Sequence, residues 1–454
     1  MWSNVRSRLE KLSPAKIITG YYLMAVTVSI LLFSIPAVHK PGVEVAFIDT
    51  VFTAVSVVSD TGLTVFNISE TYSVFGYFVI MIVLQFAGLG IMAISTFLWM
   101  ILGRKIGLRG RRLIMADNNQ LALSGLVKLV KDILKLILLI ELLGALVLGV
   151  HFLNYYPTWK EAFLHGLFAS VTATTNAGMD ITGQSLVPYA SDYFVQLITI
   201  ILIILGAIGF PVLIEVKEFL FRKKTELENP FRFSLFTRLA TTTYGILLVL
   251  GTILILIIEY QHYFKGMTWH KSFFYALFQA ATTRSAGLST MDVTEFTMPT
   301  LLVMSVLMFI GGSPTSVGGG IRTTTFALNI LFIYHFAKGN RDIKVFNREL
   351  HQDDIMKSLA ISLLALVMCF MSVVAISISD SQNQLIAIIF EVCSAFGTVG
   401  LSMGITPDLS IFGKFVLMIL MFIGRIGLTS FLFIIGGKKK EANYHYPKER
   451  VIIG

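Results

Sequence analysis

Four short stretches, VVSDTGLTV, ATTNAGMDI, ATTRSAGLS and AFGTVGLSM, hold Gly62, Gly178, Gly287 and Gly400 in the same setting. The glycines lie 116, 109 and 113 residues apart, close to a quarter of the 454-residue chain. Each is followed by Leu or Met and preceded by a short apolar segment, at 46–57, 161–171, 272–281 and 385–396. A helix needs ~20 apolar residues to cross a bilayer, so segments of ~10–12 are read as re-entrant half-helices. A period of this length is not that of a solenoid and points to duplication of a whole membrane module. An isolated glycine usually marks only a turn; four at one period, each behind a non-spanning apolar segment, need a shared structural cause.

The rest of the chain supplies the spans around each half-helix. With 55% hydrophobic and 14% charged residues and a mean hydropathy of +0.77, it has the composition of a membrane protein. Paired spans are expected at 17–36 and 73–102, 127–153 and 192–221, 237–260 and 298–337, and 356–379 and 408–436. Each helix, half-helix, loop, helix unit crosses the membrane an even number of times, so all four point the same way. The expected fold is an all-α polytopic membrane protein, with four parallel helix–re-entrant half-helix–helix repeats around a pseudo-fourfold central pore. Its divisions are a cytosolic N-terminus at 1–16, repeats at 17–103, 127–222, 237–337 (last helix interrupted) and 355–437, and a cytosolic tail at 438–454.

Charge agrees with that topology. Of 36 Lys and Arg, 28 fall at the N-terminus, in 104–135, 217–238 and 338–357, and in the tail. This alternation is the positive-inside pattern rather than a nucleic-acid surface, and it puts both termini and the three basic linkers in the cytosol. The basic N-terminus shows no small-residue cleavage site, so no cleavable signal peptide is expected. Cys369 and Cys393 sit in apolar context and the eight histidines form no ligand spacing, which argues against a disulfide framework or a metal cluster. No nucleophile stands with a base, so an enzyme is not expected. No chain of intramembrane Asp, Glu or His supports a proton relay, although sodium coupling stays open.

Non-helical backbone at membrane depth is tolerated only where it is buried in protein or lines a water-filled cavity. Four loops meeting on one axis satisfy that condition, and their carbonyls can replace the hydration shell of a monovalent cation. The candidate ion-binding residues are Asp60, Thr61, Gly62 and Leu63; Asn176, Ala177, Gly178 and Met179; Ser285, Ala286, Gly287 and Leu288; and Thr398, Val399, Gly400 and Leu401. Glycine suits the narrowest point because it takes backbone angles closed to other residues.

A second constellation interrupts the last span of the third unit. LLVMSVLMFI is followed by GGSPTSVGGGIRTTT, and five glycines and a proline in residues 311–320 cannot continue a helix. A phosphate-binding loop is excluded, since no GK[ST] follows. A passive kink and an intramembrane gate at 311–325 remain as readings. The gate candidates are Gly311, Gly312, Ser313, Pro314, Thr315, Ser316, Val317, Gly318, Gly319, Gly320 and Arg425. Arg425, in MFIGRIGLT, costs at least ~2.5 kcal/mol at membrane depth unless it faces protein. It either lies by the gate loop or pairs with carbonyls at a broken helix. Asp60 and Arg284 are expected to point away from the axis, with Arg284 bracing its loop from behind. Glu141 is expected to pair with a neighbour, and Gly206, Gly209 and Pro211 to make an ordinary kink.

These motifs resemble the Trk/Ktr/HKT superfamily of potassium uptake proteins over essentially the whole chain. The likeness is greatest to KtrB-type membrane subunits of bacterial Ktr systems, since no further transmembrane hairpin precedes the first unit and the closing YPKERVIIG is similar to a Ktr-type tail. The resemblance implies a homodimer in the bacterial cell membrane, each chain with its own pore. It also implies a gate below the filter and a cytosolic, KtrA-like ring that binds ATP or ADP. No cofactor is expected in this chain, which has no GxGxxG, and K+ is the substrate ion at the filter. Only the fourth loop reads TVG; the others read DTG, NAG and SAG, and none has the second glycine of the potassium-channel TVGYG. Glycine at all four positions implies potassium preference. The basic linkers 104–135 and 217–238 are either the partner's docking surface or simple topology determinants. Sodium-coupled potassium transport is the alternative function.

Overall fold

The computed structural model describes residues 14–88, 90, 126–222, 231–340, 342–428, 431–432 and 449. Where the sequence runs apolar with no glycine–proline cluster, it forms long helices: α1 (Pro14–Phe33), α4 (Leu126–Phe152), α8 (Leu235–Glu259) and α12 (Gln352–Ser379). These four are long and apolar enough to cross a membrane. The short apolar segments form α2 (Phe47–Val58), α5 (Trp159–Thr174), α9 (Trp269–Thr282) and α13 (Leu385–Gly397). A second helix follows each: α3 (Val74–Gly88), α6 (Tyr193–Ala207) with α7 (Phe210–Leu220), α10 (Met298–Ile310) with α11 (Thr323–Ala337), and α14 (Ile411–Ile426).

Burial separates the two kinds of helix. Ten of the thirteen residues of α13 are buried, whereas α12 and α8 leave Leu363, Phe370, Ile378 and Ile257 exposed. Apolar side chains exposed in this way on long helices are what a lipid-facing surface requires. The short helices lie inside and the long ones outside.

One tie recurs between the end of each long helix and the start of the following second helix. Ser73, before α3, donates through Oγ to the Ala37 carbonyl at 2.8 Å. His151 of α4 meets the α6 cap Asp192 at 2.5 Å. Thr297, the cap of α10, donates to Glu259 of α8 at 2.7 Å. Ser410, the cap of α14, donates through its amide to Asp380 at 2.6 Å, just past α12. Burial works to raise the Asp380 carboxyl, but the Ser379 and Ser410 hydrogen bonds outweigh it and hold the group below its ordinary value. Ser73, Asp192 and Ser410 also accept from N–H groups of the helix they precede, so the starts of α3, α6 and α14 are capped by residues that are themselves anchored.

One expectation about the second spans is corrected, and two reach beyond the described residues. Residues 192–221 do not form one kinked helix: α6 and α7 meet at a bend of 107°. Gly209, at φ +104°, turns the chain there, and Pro211 cannot donate to the preceding turn. In the 408–436 span, α14 ends at Ile426, with Gly427 at φ +87°, and residues 429–430 and 433–436 lie outside the described residues. Of the 73–102 span, α3 accounts for residues up to Gly88, and residues 91–102 lie outside the described residues. The chain is also not purely helical. Lys344–Val345 and Arg348–Glu349 pair as an antiparallel hairpin, β1 and β2, because Phe346 and Asn347 both take positive φ in its turn.

Glycines on the second helices let them press on the inner ones. A Cβ at Gly424 of α14 would stand 2.1 Å from the Phe396 carbonyl oxygen, and one at Gly206 of α6 would stand 2.1 Å from that of Thr174. Gly424→Ala is therefore expected to destabilise by ~1–3 kcal/mol through overpacking. Gly245→Ala, on α8 with open space around it, should be neutral or gain up to ~1 kcal/mol in helix propensity. Thermal unfolding in detergent compares the two; equal midpoints would remove the packing claim.

Candidate functional site

The four motif glycines all take positive φ, at 86°, 66°, 69° and 97° for Gly62, Gly178, Gly287 and Gly400. The residue two before each does so too: Asp60 at 50°, Asn176 at 51°, Ser285 at 76° and Thr398 at 48°. Non-glycine residues rarely hold this conformation unless their surroundings impose it. Short bonds back to the inner helices provide that constraint. Thr61 N reaches Ser56 O at 2.9 Å, Ala177 N reaches Thr172 O at 2.9 Å, and Val399 N reaches Ser394 O at 2.8 Å. The third loop is wound one residue tighter, with Ala286 N on Thr282 O at 2.9 Å.

The loops close into a cycle. A Cβ on Gly62 would lie 2.1 Å from the Ala177 carbonyl oxygen of the next loop, and one on Gly178 would lie 3.0 Å from that of Ala286. A Cβ on Gly287 would lie 2.2 Å from Val399 O, and one on Gly400 would lie 2.2 Å from Thr61 O. Each glycine thus faces the carbonyl of its successor, and the fourth faces the first. Side chains are kept out of this ring by contact with backbone, which cannot give way cheaply. Asp60, Thr61, Leu63, Asn176, Ala177, Met179, Ser285, Ala286, Leu288, Thr398, Val399 and Leu401 are all buried around it. A cavity of about 560 Å3 adjoins Gly287 and Gly400, and a second of about 230 Å3 adjoins Gly62 and Gly178.

The 311–322 loop lies against the ring. A Cβ on Gly318 would meet Ser285 Oγ at 2.8 Å, and one on Gly319 would meet Thr398 Oγ1 at 2.5 Å. Gly319 N also donates to Ser285 Oγ at 3.2 Å, and that hydroxyl donates to Gly397 O at 2.8 Å. The loop's other edge docks on the break between α6 and α7. Ser313 N donates to Ala207 O at 2.9 Å, Val317 N donates to Gly206 O at 3.3 Å, and Phe210 N donates to Thr315 O at 2.8 Å. The Gly206–Pro211 cluster is therefore more than a kink, because its freed backbone groups are the loop's partners.

Arg425 joins three parts of this site. It forms an ion pair with Asp60 at 2.7 Å, both side chains being almost completely buried. It donates through Nη1 to the Val317 carbonyl of the loop and through Nη2 to the Ala87 carbonyl of α3. Proximity to the loop and pairing with carbonyls at a helix end are both present. The Asp60 pairing escaped the sequence reading, since nothing local links residues 365 apart. Arg284, fully buried, reaches not its own loop but the Gly311 carbonyl at 3.4 Å. Its Nε and Nη2 have no hydrogen-bond partner among the described residues. Glu141 accepts from Gln85 Nε2 at 2.5 Å. Also missed was Glu391, a buried carboxylate on α13 that accepts from Ser402 Oγ, from Met403 N at 3.2 Å and from Thr406 Oγ1 at 3.0 Å. A carboxylate inside a short apolar segment was the available signal.

Interrupted apolar helices packed around a ring of four buried loops define a polytopic membrane protein. Residues 14–441 match the family model described as TrkH, Cation transport protein, and the chain belongs to that family. Ktr system potassium uptake protein D of Bacillus subtilis (strain 168) is 55% identical over 446 residues, 98% of each chain. Potassium/sodium uptake protein NtpJ of Enterococcus hirae is 32% identical over 455 residues, 98% of each chain. Among solved structures, the potassium transporter TrkH from Vibrio parahaemolyticus superposes with a TM-score of 0.71 over 94% of this chain and 86% of that one. At 17% identity that likeness carries the fold alone.

Removing Arg425 leaves the Asp60 carboxylate buried without its counter-charge. Arg425→Ala should destabilise by ~3–5 kcal/mol, and adding Asp60→Asn should recover a large part of that loss. Unfolding midpoints of the single and double variants measure this, and a double variant no more stable than Arg425→Ala would deny the pairing its role.

Proposed function

We propose that this chain is the potassium-translocating subunit of a Ktr-type uptake system. The carrying observation is the closed cycle in which each motif glycine faces the carbonyl of the next loop. In this reading the four units are parallel repeats about one pore, and Asp60–Leu63, Asn176–Met179, Ser285–Leu288 and Thr398–Leu401 form its filter. Backbone carbonyls replace the ion's water there. The C-terminal, partly negative ends of α2, α5, α9 and α13 point toward the ring and favour a cation beside it.

The loop at 311–325 is the gate. Its glycines rest on Ser285 and Thr398, and Arg425 holds it by Val317, so a cation leaving the filter meets backbone and a positive charge. Loop movement breaks three backbone bonds to the α6–α7 break and the Arg425 contact, which gives the closed state a definite latch. A cytosolic nucleotide-binding ring, reading ATP or ADP, is the proposed control. A multi-component system is supported by the name of a relative, Ktr system potassium uptake protein B of Bacillus subtilis (strain 168), 34% identical over 445 residues. The protein is proposed to act as a homodimer in the bacterial cell membrane with both termini in the cytosol. Sodium-coupled potassium transport is the second reading, favoured by the name of the Enterococcus hirae relative.

Flux of potassium, rubidium and sodium into proteoliposomes tests the pore. The unaltered chain should pass potassium over sodium. Gly287→Ser should cut that discrimination at least ~10-fold, about 1.4 kcal/mol, because any Cβ at φ +69° presses on the Val399 carbonyl. Unchanged selectivity in a folded variant would overturn the filter assignment.

Deletion of residues 313–320 tests the gate separately. It should raise potassium flux in the absence of any partner. A correctly inserted, folded protein with no flux would show instead that the loop serves structure.

A further inference from the structure

The chain before each motif glycine is tied to its inner helix in the same way in all four units. The tie ends on the carbonyl of Ser56, Thr172, Thr282 or Ser394. Three residues back from each of these lies one register position of α2, α5, α9 and α13, held by Thr53, Ala169, Gln279 and Glu391. Residues three apart are neighbours on a helix surface, so this position shares the face that carries the tie. The chain after the glycine has its own counterpart two residues on, at Thr64, Asp180, Ser289 and Ser402.

In the third and fourth units the two positions are joined. Gln279 donates through Nε2 to Ser289 Oγ at 2.9 Å. Glu391 accepts from Ser402 Oγ, from Met403 N at 3.2 Å and, at its other oxygen, from Thr406 Oγ1 at 3.0 Å. The two helix residues are 0% and 1% exposed. In the first two units the positions stay separate. Thr53 Oγ1 donates to the Asp49 carbonyl at 2.8 Å, Ala169 carries no polar side-chain atom, and Asp180 accepts from Thr182, Gly183 and Ser185 of its own loop. Ser289 also holds the second loop, since its amide donates to Ser185 Oγ at 2.8 Å and its carbonyl accepts from Leu186 N at 2.9 Å.

We propose that Gln279 and Glu391 are positioning residues for ion selection: struts that fix the chain just past Gly287 and Gly400, and with it the carbonyl geometry that discriminates between cations. The proposal rests on the filter reading above. Only Leu288 separates Gly287 from Ser289, and only Leu401 separates Gly400 from Ser402. A strut at the second residue therefore leaves the intervening peptide groups little freedom to rotate. Ser289 and Ser402 line one cavity together with Gly287 and Gly400, so both struts stand behind the same side of the ring. Burying a carboxylate is costly unless hydrogen bonds satisfy it, and Ala169 shows that an inner helix packs without one. Among the described residues, every hydrogen bond that the Glu391 side chain accepts comes from residues 402–406. What it holds is the chain leaving the filter. Its charge is not the working feature, because Gln279 fills the same register with a neutral amide.

Potassium and sodium fluxes of the full chain in proteoliposomes, taken beside unfolding midpoints in detergent, test the struts. Glu391→Ala and Gln279→Ala should each lower the potassium-over-sodium ratio at least ~5-fold, the effect of about 1 kcal/mol on the relative fit of the two ions. If one fails to fold, the other decides, and Ser402→Ala, which removes a single bond to Glu391, should shift the ratio in the same direction by less. Glu391→Gln, whose amide oxygen can still accept from Ser402 and Met403, should restore most of the ratio. Asp380→Ala removes a carboxylate that is just as buried but bonded to Ser410 rather than to a filter loop. It should lower the unfolding midpoint and leave the ratio unchanged. Folded alanine variants with wild-type ratios would overturn the struts. So would a Glu391→Gln protein as unselective as Glu391→Ala, or an Asp380→Ala protein that loses as much selectivity. An unselective wild type would overturn the filter reading and this inference together. A selective wild type that Gly287→Ser degrades and Glu391→Ala and Gln279→Ala leave intact would overturn this inference alone.

Discussion

Peptide groups released from a helix inside a bilayer have no water to turn to, and each left unpaired costs several kcal/mol. The centre of this protein follows from that constraint. Two helices break at neighbouring places, α6 from α7 and α10 from α11, and the groups freed at one break are used by the other. Ala207 and Gly206 lend carbonyls to Ser313 and Val317, and Phe210 lends its amide to Thr315. Either break alone would leave orphaned donors and acceptors at membrane depth. A loop of this composition can exist there because a second interrupted helix stands opposite it.

The same economy governs charge. Arg425 is tolerated because Asp60 neutralises it and two carbonyls accept from its Nη1 and Nη2. Each of its contacts belongs to a different part of the chain: the first loop, the 311–322 loop and the end of α3. A displacement of any of them is felt by the others through one guanidinium. Arg284 works on the neighbouring carbonyl, Gly311, so two buried cations flank the same loop. In the proposed pore this places two guanidinium groups next to the loop proposed as the gate, while the ring itself is built from neutral backbone.

How much of this was legible in the sequence depended on the range of the interaction. The family was legible, because the glycine motifs and their period are local patterns repeated along the chain, and residues 14–441 carry the family match. The short inner helices were legible from length alone. The helix end at Gly427 was not, since GRIGLTSFLFII contains no proline and reads as continuous apolar sequence. The sharp turn at Gly209 was read as a kink because composition shows that a helix weakens, not what waits to pair with the freed groups. The partners of Asp60 and Asp49 lie 365 residues away in each case, and a single sequence has no signal for a pairing of that range. Glu391 was visible as a charge but its role was not, because Ser402 and Thr406 are ordinary loop residues until the loop is folded.

The ion pairs Asp49–Lys414, at 2.9 Å near the starts of α2 and α14, and Asp60–Arg425, just past the end of α2, also bear on which parts of the molecule can move. Two helices held at one point can pivot or slide, but an ion pair near each end of their seam resists both. A slide of one turn, 5.4 Å, would separate Asp49 from Lys414 and Asp60 from Arg425 together. The seam between the first and last units is thus stiff along its axis. The 311–322 loop differs in kind. It is glycine-rich and held by single backbone bonds, by the Ser285 hydroxyl and by contacts from Arg284, Arg322 and Arg425. If flux through the proposed pore is switched, the compliant element is this loop, and the stiff seam is the frame against which it moves.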